Sequence, residues 1–396
     1  MRKWHWVGIV LLILLLGIGA ILGLGWVESQ RNEQVHFNRE ETLLLVSNPS
    51  RSAIRLFMSG RTLQEAKPLE PFNGKSIWLP KGNYFLLARQ NGREFYYPIQ
   101  IIGHRSGPDT DGTFSITVRS FNVEDTPPLI AGSGAWAYIP SGHFLFGERL
   151  NPHEPHYIWL PAFFINTFEV TNAQYREFLQ DPLGYNHDMG WTEEGRRWRS
   201  SNVSQATALL TPGHAEYERF GRDDLPVVYV NWYEAMAFCK WLTGKLGKNR
   251  WQFSLASEGE WEKASRGPDS FDYGLGMSIS DNEVPLYNWR KNPDAAVTVV
   301  GLRESLGHYL ANRYGLLHMS GNAAEWTLSV HRHFNQEHPY VDDDRNWEKT
   351  QGSRVVRGGS WYTASTAVLS LGYLEALEPE VNTPYLGFRI VAHVLP

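Results

Sequence analysis

The sequence predicts an α+β protein in three parts: an N-terminal transmembrane helix, a small all-β sandwich, and a larger C-terminal domain with little regular secondary structure. Three observations carry this reading. An uncharged apolar run extends from Trp6 to Val27. Between residues 36 and 123, short apolar stretches are separated by turn residues and show no 3.6-residue period. From residue 136 onward, short helical faces and strand-like runs share a stretch rich in aromatics, and the whole chain carries 16 Trp among 396 residues. A single core rarely grows past about 250 to 300 residues, so more than one folded unit is expected. The expected division is 1–30 for a cytoplasmic stub and anchor, 36–123 for the sandwich, 124–135 for a linker and 136–396 for the larger domain.

The apolar run follows Met1-Arg2-Lys3. At about 1.5 Å per residue it is long enough to cross a hydrocarbon core of roughly 30 Å. Trp4, Trp6 and Trp26 stand at its two ends, where indole rings favour the membrane interface. A cleaved signal peptide is the competing reading, but its apolar region would span about 7 to 15 residues and end at a small-x-small site. Leu22-Gly23-Leu24-Gly25 is a poor site of that kind, and no cysteine follows to carry a lipid. The expectation is a single-pass protein of the inner or plasma membrane. Its basic N-terminus stays in the cytoplasm and its body lies in the periplasm or extracellular space.

In the β region the candidate strands are 42–46, 53–58, 76–79, 84–89, 94–101 and 113–118. Asn91-Gly92 separates two of them, and Asn-Gly is a strong two-residue hairpin turn because both positions accept positive φ. The stretch from Ile77 to Tyr84 with Arg93-Glu94-Phe95-Tyr96 resembles the small surface modules called PEGA domains. A spacer or protein-contact role is expected there. Asp125-Thr126-Pro127-Pro128 and Gly132-Ser133-Gly134 read as the linker, because prolines and glycines break strand pairing.

Composition narrows the function. A net charge of -5 and a pI near 6.3 give no electrostatic footprint for nucleic acid. Cys239 is the single cysteine, so no intramolecular disulfide forms. It falls on one helical face with Ala235, Phe238 and Leu242, which places it in the core rather than at a reactive site.

Several motifs of the C-terminal part then occur in one order. They are Tyr138-Ile139-Pro140-Ser141-Gly142 with Phe146-Gly147, Phe168-Glu169-Val170-Thr171-Asn172-Ala173-Gln174-Tyr175, and Asn231-Trp232-Tyr233-Glu234-Ala235. Leu255-Ala256-Ser257-Glu258-Gly259-Glu260-Trp261-Glu262, Gly321-Asn322-Ala323-Ala324-Glu325-Trp326, Arg357-Gly358-Gly359-Ser360-Trp361 and Gly387-Phe388-Arg389 follow. Thr171 reads as a helix cap, with Tyr175, Phe178 and Leu179 on one face. Ser257 and Glu260 read as a capping box. This order resembles the formylglycine-generating, or sulfatase-modifying factor, family across residues 136 to 394. The resemblance implies a C-type-lectin-like fold.

The family's chemistry does not carry over with the motifs. Formylglycine-generating enzymes hold copper with two cysteines just after the Gly-Gly-Ser-Trp segment, and those positions fall here on Thr363 and Val368. Neither a hydroxyl nor an alkyl group replaces a thiolate on a soft cuprous ion, so no copper is expected. The sulfoxide synthases of the same superfamily take iron from a His-x3-His-x-Glu motif that does not occur here. His331, His333 and His338 with Asp342, Asp343 and Asp344 are the nearest metal-ligand cluster, weighed against a solvated loop.

The resemblance also implies structural calcium, with Asn322 and Glu325 matching one site and Asn288 a second. Against calcium stand an Asx-type turn for Asn322 and, for Glu325, an ion pair with an arginine such as Arg357 or Arg389. Three functions follow. The first is a non-catalytic binding or scaffold protein engaging other envelope or membrane proteins. The second is a metal-dependent oxidoreductase of altered chemistry in the same cleft. The third is carbohydrate binding through Trp191, Trp198, Trp347 and Tyr362.

Overall fold

Among the described residues strands come first, where apolar residues alternate with polar ones. The computed structural model describes residues 41–103, 107–122, 126–129, 134–147, 155–274, 276–279, 311–332 and 351–395. Its first strands are Glu41–Ser47 (β1), Ala53–Met58 (β2), Lys67–Pro68 (β3), Ser76–Pro80 (β4), Gly82–Gln90 (β5), Arg93–Ile101 (β6) and Phe114–Thr117 (β7). In β1, Thr42, Leu44 and Val46 point inward while their neighbours face out. Two sheets result, ordered β4-β1-β7 and β3-β2-β5-β6. Leu44, Leu56, Leu86, Ile99 and Phe114 form one apolar cluster between them. The β5–β6 hairpin turns at Asn91 and Gly92, with φ of 51° and 76° as a mirror-image turn requires.

The expected strands are therefore all present, each within two residues of its predicted limits. β3 escaped the sequence reading, since a two-residue strand containing Pro68 carries no alternation, and proline is tolerated on such an edge. Of the linker, Pro128 accepts a hydrogen bond from the Trp136 indole at 3.1 Å. The apolar run 6–27 lies outside the described residues. Among the described residues no helix is long and apolar enough to cross a membrane.

The larger body begins with Trp136–Ile139 (β8), Gly142–Phe146 (β9), His156–Leu160 (β10) and Phe163–Asn166 (β11). Helices Asn172–Gln180 (α1), Glu193–Ser201 (α2), Gln205–Leu209 (α3) and Trp232–Leu246 (α4) follow, then Trp251–Leu255 (β12) and Glu258–Arg266 (α5). Ala324–Val330 (β13), Arg354–Arg357 (β14), Glu375–Leu377 (β15), Leu386–Phe388 (β16) and Ile390–Val394 (β17) complete it. One sheet has the order β12-β17-β11-β8 and the other β15-β14-β13-β16. β17 lies between β11 and β12, so the last strand closes on elements laid down more than a hundred residues earlier.

Capping explains where the helices begin. Thr171 with Gln174, Asn231 with Glu234 and Ser257 with Glu260 each form a reciprocal capping box, which satisfies amides that would otherwise lack partners. Helix α4 is buried over most of its circumference, and Ala235, Phe238, Cys239 and Leu242 are wholly inaccessible. Cys239 is thus a core residue, as its helical neighbours indicate, and burial pushes its thiol far above the ordinary range.

The two parts of the chain are in contact. Arg313 Nε lies 2.7 Å from Asp269 Oδ2, its guanidinium stacks 4.7 Å from the Phe85 ring, and Nη2 donates to the Leu63 carbonyl at 2.6 Å. The Tyr314 hydroxyl donates to Tyr96 O, and Leu145 N donates to Gln100 Oε1.

Glu234 is fully buried, and burial pushes its carboxyl up to about 7 against hydrogen bonds from Ser204, Asn231 and Tyr185. The folded state therefore holds a proton between roughly pH 4.3 and 7 that the unfolded chain has released. That stabilisation is complete below about pH 4.3 and is lost as pH rises through 7. Glu234→Gln, which keeps the cap geometry, should flatten the urea-unfolding stability profile between pH 4 and 8 by about 3 kcal/mol relative to the parent.

Candidate functional site

The loop running into β13 gathers several deeply buried polar groups. Gly315, His318, Gly321 and Asn322 all have positive φ, between 61° and 106°. Asparagine tolerates that region, which lets the chain reverse twice in eight residues. Asn322 donates from Nδ2 to Glu169 Oε1 at 2.8 Å, and its carbonyl accepts from the Trp361 amide at 2.9 Å. Glu169 Oε2 lies 3.0 Å from His318 Nδ1.

Glu325 is held from two sides. Arg389 donates to its carboxylate from Nη2 at 2.8 Å and from Nε at 3.1 Å, and the Trp261 indole donates to Oε2 at 2.7 Å. Arg389 also donates to the carbonyls of Leu317 and Asn166. Burial works to raise the Glu169 carboxyl, but His318 and Arg389 hold it below the ordinary carboxylate range. Burial leaves Glu325 raised despite Arg389, with the Glu169 charge acting in the same direction.

A second buried network lies on the other side of Trp261. Arg357 Nη2 donates to Glu258 Oε1 at 2.5 Å and to Glu262 Oε2 at 2.9 Å. Glu262 Oε1 also accepts from Arg266 Nε and from the Gly147 amide. The four-residue spacing of Glu258, Glu262 and Arg266 on α5 was the available signal for this cluster. Glu169 and His318 had no such signal, because their partners lie 149 residues apart.

Asn322 and Glu325 are therefore close together, but the observed partners of Glu325 are those of the ion-pair reading, with Arg389 rather than Arg357 as the cation. Both carboxylate oxygens are engaged by nitrogen donors, and a calcium ion there would face the guanidinium. That donor set does not suit a hard cation needing six to eight oxygens. Among the described residues no group of three or more His, Cys, Asp or Glu side chains is placed to hold a metal ion. Asn288, His333, His338 and Asp342 to Asp344 lie outside the described residues. His331 donates its amide to the Ser353 carbonyl at 2.9 Å.

Beyond β14, Gly358 and Gly359 take φ of 92° and 62° and turn the chain sharply. Thr363 Oγ1 accepts from the Ser360 amide at 3.0 Å, and Val368 sits in a short 3-10 turn over Thr366–Leu369. Both residues border Gly359: a Cβ there would lie 3.3 Å from the side-chain Oγ1 of Thr363 and 2.9 Å from the backbone carbonyl of Val368. Where the resemblance puts two cysteines, the chain carries a hydroxyl that already accepts a hydrogen bond and an alkyl group.

Aromatic rings flank this segment. Tyr362, exposed, stacks on Tyr385 with centroids 5.3 Å apart and planes at 6°. The Arg219 guanidinium lies over Phe220 and Trp361. Of the other rings considered for sugar stacking, Trp191 is buried and bonded to Tyr185 O, Trp198 is half-buried, and Trp347 is not described. Trp159, not singled out from the sequence, is 52% exposed.

Fold and site define a mixed α/β protein whose C-terminal body is organised by buried Arg–Glu pairs and whose cysteine-equivalent positions carry no thiol. The chain belongs to the sulfatase-modifying factor family, since the Sulfatase-modifying factor enzyme 1-like domain matches residues 133–394. It is 29% identical over 259 residues to the serine/threonine-protein kinase pkn1 of Chlamydia caviae, covering 64% of this chain and 37% of that one. To the hercynine oxygenase of Mycolicibacterium smegmatis it is 28% identical over 283 residues, covering 62% and 61%. To the inactive C-alpha-formylglycine-generating enzyme 2 of Mus musculus it is 26% identical over 289 residues, covering 64% and 84%. The chain thus spans less than two thirds of the length of each of the first two.

Arg389→Met strips the counter-charge from two carboxylates buried with it, and breaking a buried pair in this way costs about 3 to 5 kcal/mol. Urea unfolding should show that loss, and Glu325→Gln added to Arg389→Met should recover part of it.

Proposed function

We propose that this chain is a membrane-anchored, non-catalytic binding or scaffold protein whose sulfatase-modifying-factor-like body lies outside the cytoplasm and engages other envelope or membrane proteins. The observation that carries the reading is that Thr363 and Val368 stand where the family's oxidase chemistry needs two thiolates. The remaining sulfur nucleophile, Cys239, is sealed in the core of α4. Similarity to a formylglycine-generating enzyme named as inactive supports the same reading. The exposed Tyr362–Tyr385 stack beside these positions offers a contact surface of the kind that partners use, since aromatic rings are enriched at interfaces.

The alternative, an enzyme of altered metal chemistry, draws its support from the similarity to hercynine oxygenases. Metal analysis of the purified full-length protein separates the two. A stoichiometric redox metal would favour the enzyme, and its absence together with a co-purifying membrane protein would favour the scaffold. Structural calcium rests on the resemblance at Asn322 and Glu325 and at Asn288. The Glu325–Arg389 pair leads us to expect an unchanged melting temperature on adding a calcium chelator.

Incubated with a cysteine-containing peptide, cuprous ion and oxygen, the full-length protein should yield no peptidyl aldehyde by mass spectrometry. Aldehyde formation would overturn the non-catalytic reading. The apolar run 6–27 should keep the protein in the membrane fraction after an alkaline wash, and protease added outside the membrane should digest the body. A body protected from that protease would place it in the cytosol instead.

A further inference from the structure

Where the sandwich meets the larger body, a cavity of about 220 Å³ is walled by Tyr97 of β6, strand β7, the turn into β9, Trp159 of β10 and Lys263 of α5. Its polar groups are unevenly committed. Lys263 is buried and donates to the carbonyls of Pro140 at 2.8 Å and Gly142 at 2.9 Å, which uses two of its three N–H donors. Among the described residues the exposed Arg119 guanidinium makes no hydrogen bond or ion pair, and the Trp159 ring has no stacking partner. Asp109 accepts from the Thr113 hydroxyl at 3.0 Å and lies near enough to His143 to act on its charge.

Arg119 is set beside Asp109, and Lys263, whose ammonium burial pushes down to about 7, adds a partial positive charge near neutral pH, so the cavity favours a ligand with a single negative charge. A bare dianion such as phosphate would be repelled by Asp109, whereas hydroxyl groups would find in it an acceptor. A half-exposed indole on a polar wall suits the apolar face of a saturated ring. The volume lies below the roughly 300 Å³ at which sites for drug-sized molecules begin, which limits the ligand to about one ring. His143, held below its ordinary range chiefly by burial, is neutral near pH 7 and can give or take one hydroxyl hydrogen bond.

We propose that this cavity binds a single acidic sugar residue of the uronate class. Its carboxylate pairs with Arg119 and Lys263, its ring lies on Trp159, and its hydroxyls are read by Asp109 and His143. The site shares no residue with the Thr363 segment and stands whether or not that segment is catalytic. An exported body would meet such sugars in envelope polysaccharides.

Isothermal titration of the detergent-solubilised full-length protein with sodium glucuronate, to roughly 20 mM, tests the assignment. Saturable binding is expected. Glucose, which lacks the carboxylate, and acetate, which lacks the ring, should each bind at least about tenfold more weakly. Arg119→Gln and Trp159→Ala, both at exposed side chains, should each weaken glucuronate binding by about tenfold or more while leaving the melting temperature unchanged. No saturable binding would overturn the proposal. So would acetate or phosphate binding as tightly as glucuronate, or either variant retaining the parent's affinity.

Discussion

The pairing of Arg389 with Glu325, out of contact with water, ties together the end of β11, the loop before β13, helix α5 through Trp261 and the junction of β16 with β17. A charged pair taken out of water repays its desolvation only when its geometry is good and its remaining donors find acceptors. Here the guanidinium meets that condition by bonding to two backbone carbonyls as well as the carboxylate. Segments that make few regular backbone hydrogen bonds of their own are thereby held in one arrangement. The Arg357–Glu258–Glu262 network performs the same service on the opposite side of Trp261.

This construction bears on function because it does not depend on the cysteine-equivalent positions. Gly358 and Gly359 turn the chain, Trp361 is anchored through its indole to Pro384 O, and the loop that follows closes over Gly359. Thr363 and Val368 are accommodated without disturbing either network. The fold can therefore hold this loop without thiolates, and fold membership alone does not fix its function.

Much of the architecture was legible in the sequence because it is written in local rules. The Asn91-Gly92 hairpin, the Ser257–Glu260 box and the buried face of α4 from Ala235 to Leu242 each involve residues within seven positions of one another. Strand β3 was not, since two residues on an edge leave no pattern. The role of Glu325 was open between a cation site and an ion pair, and sequence could not choose because both use the same carboxylate. The contribution of Glu169 and His318 was invisible because the two lie 149 residues apart.

The sequence by itself determined the apolar N-terminal run, the two-part layout of strands and mixed body, the family and the absence of a second thiol, all of which follow from residue identity and short-range order. Only the tertiary structure decided which arginine neutralises Glu325, that Trp191 is sealed while Trp159 is not, and that Arg119 and Lys263 share a cavity. These are pairings between residues tens to hundreds of positions apart. They are selected by which side chains can be buried together with their charges and hydrogen bonds satisfied, a condition that no window of sequence contains.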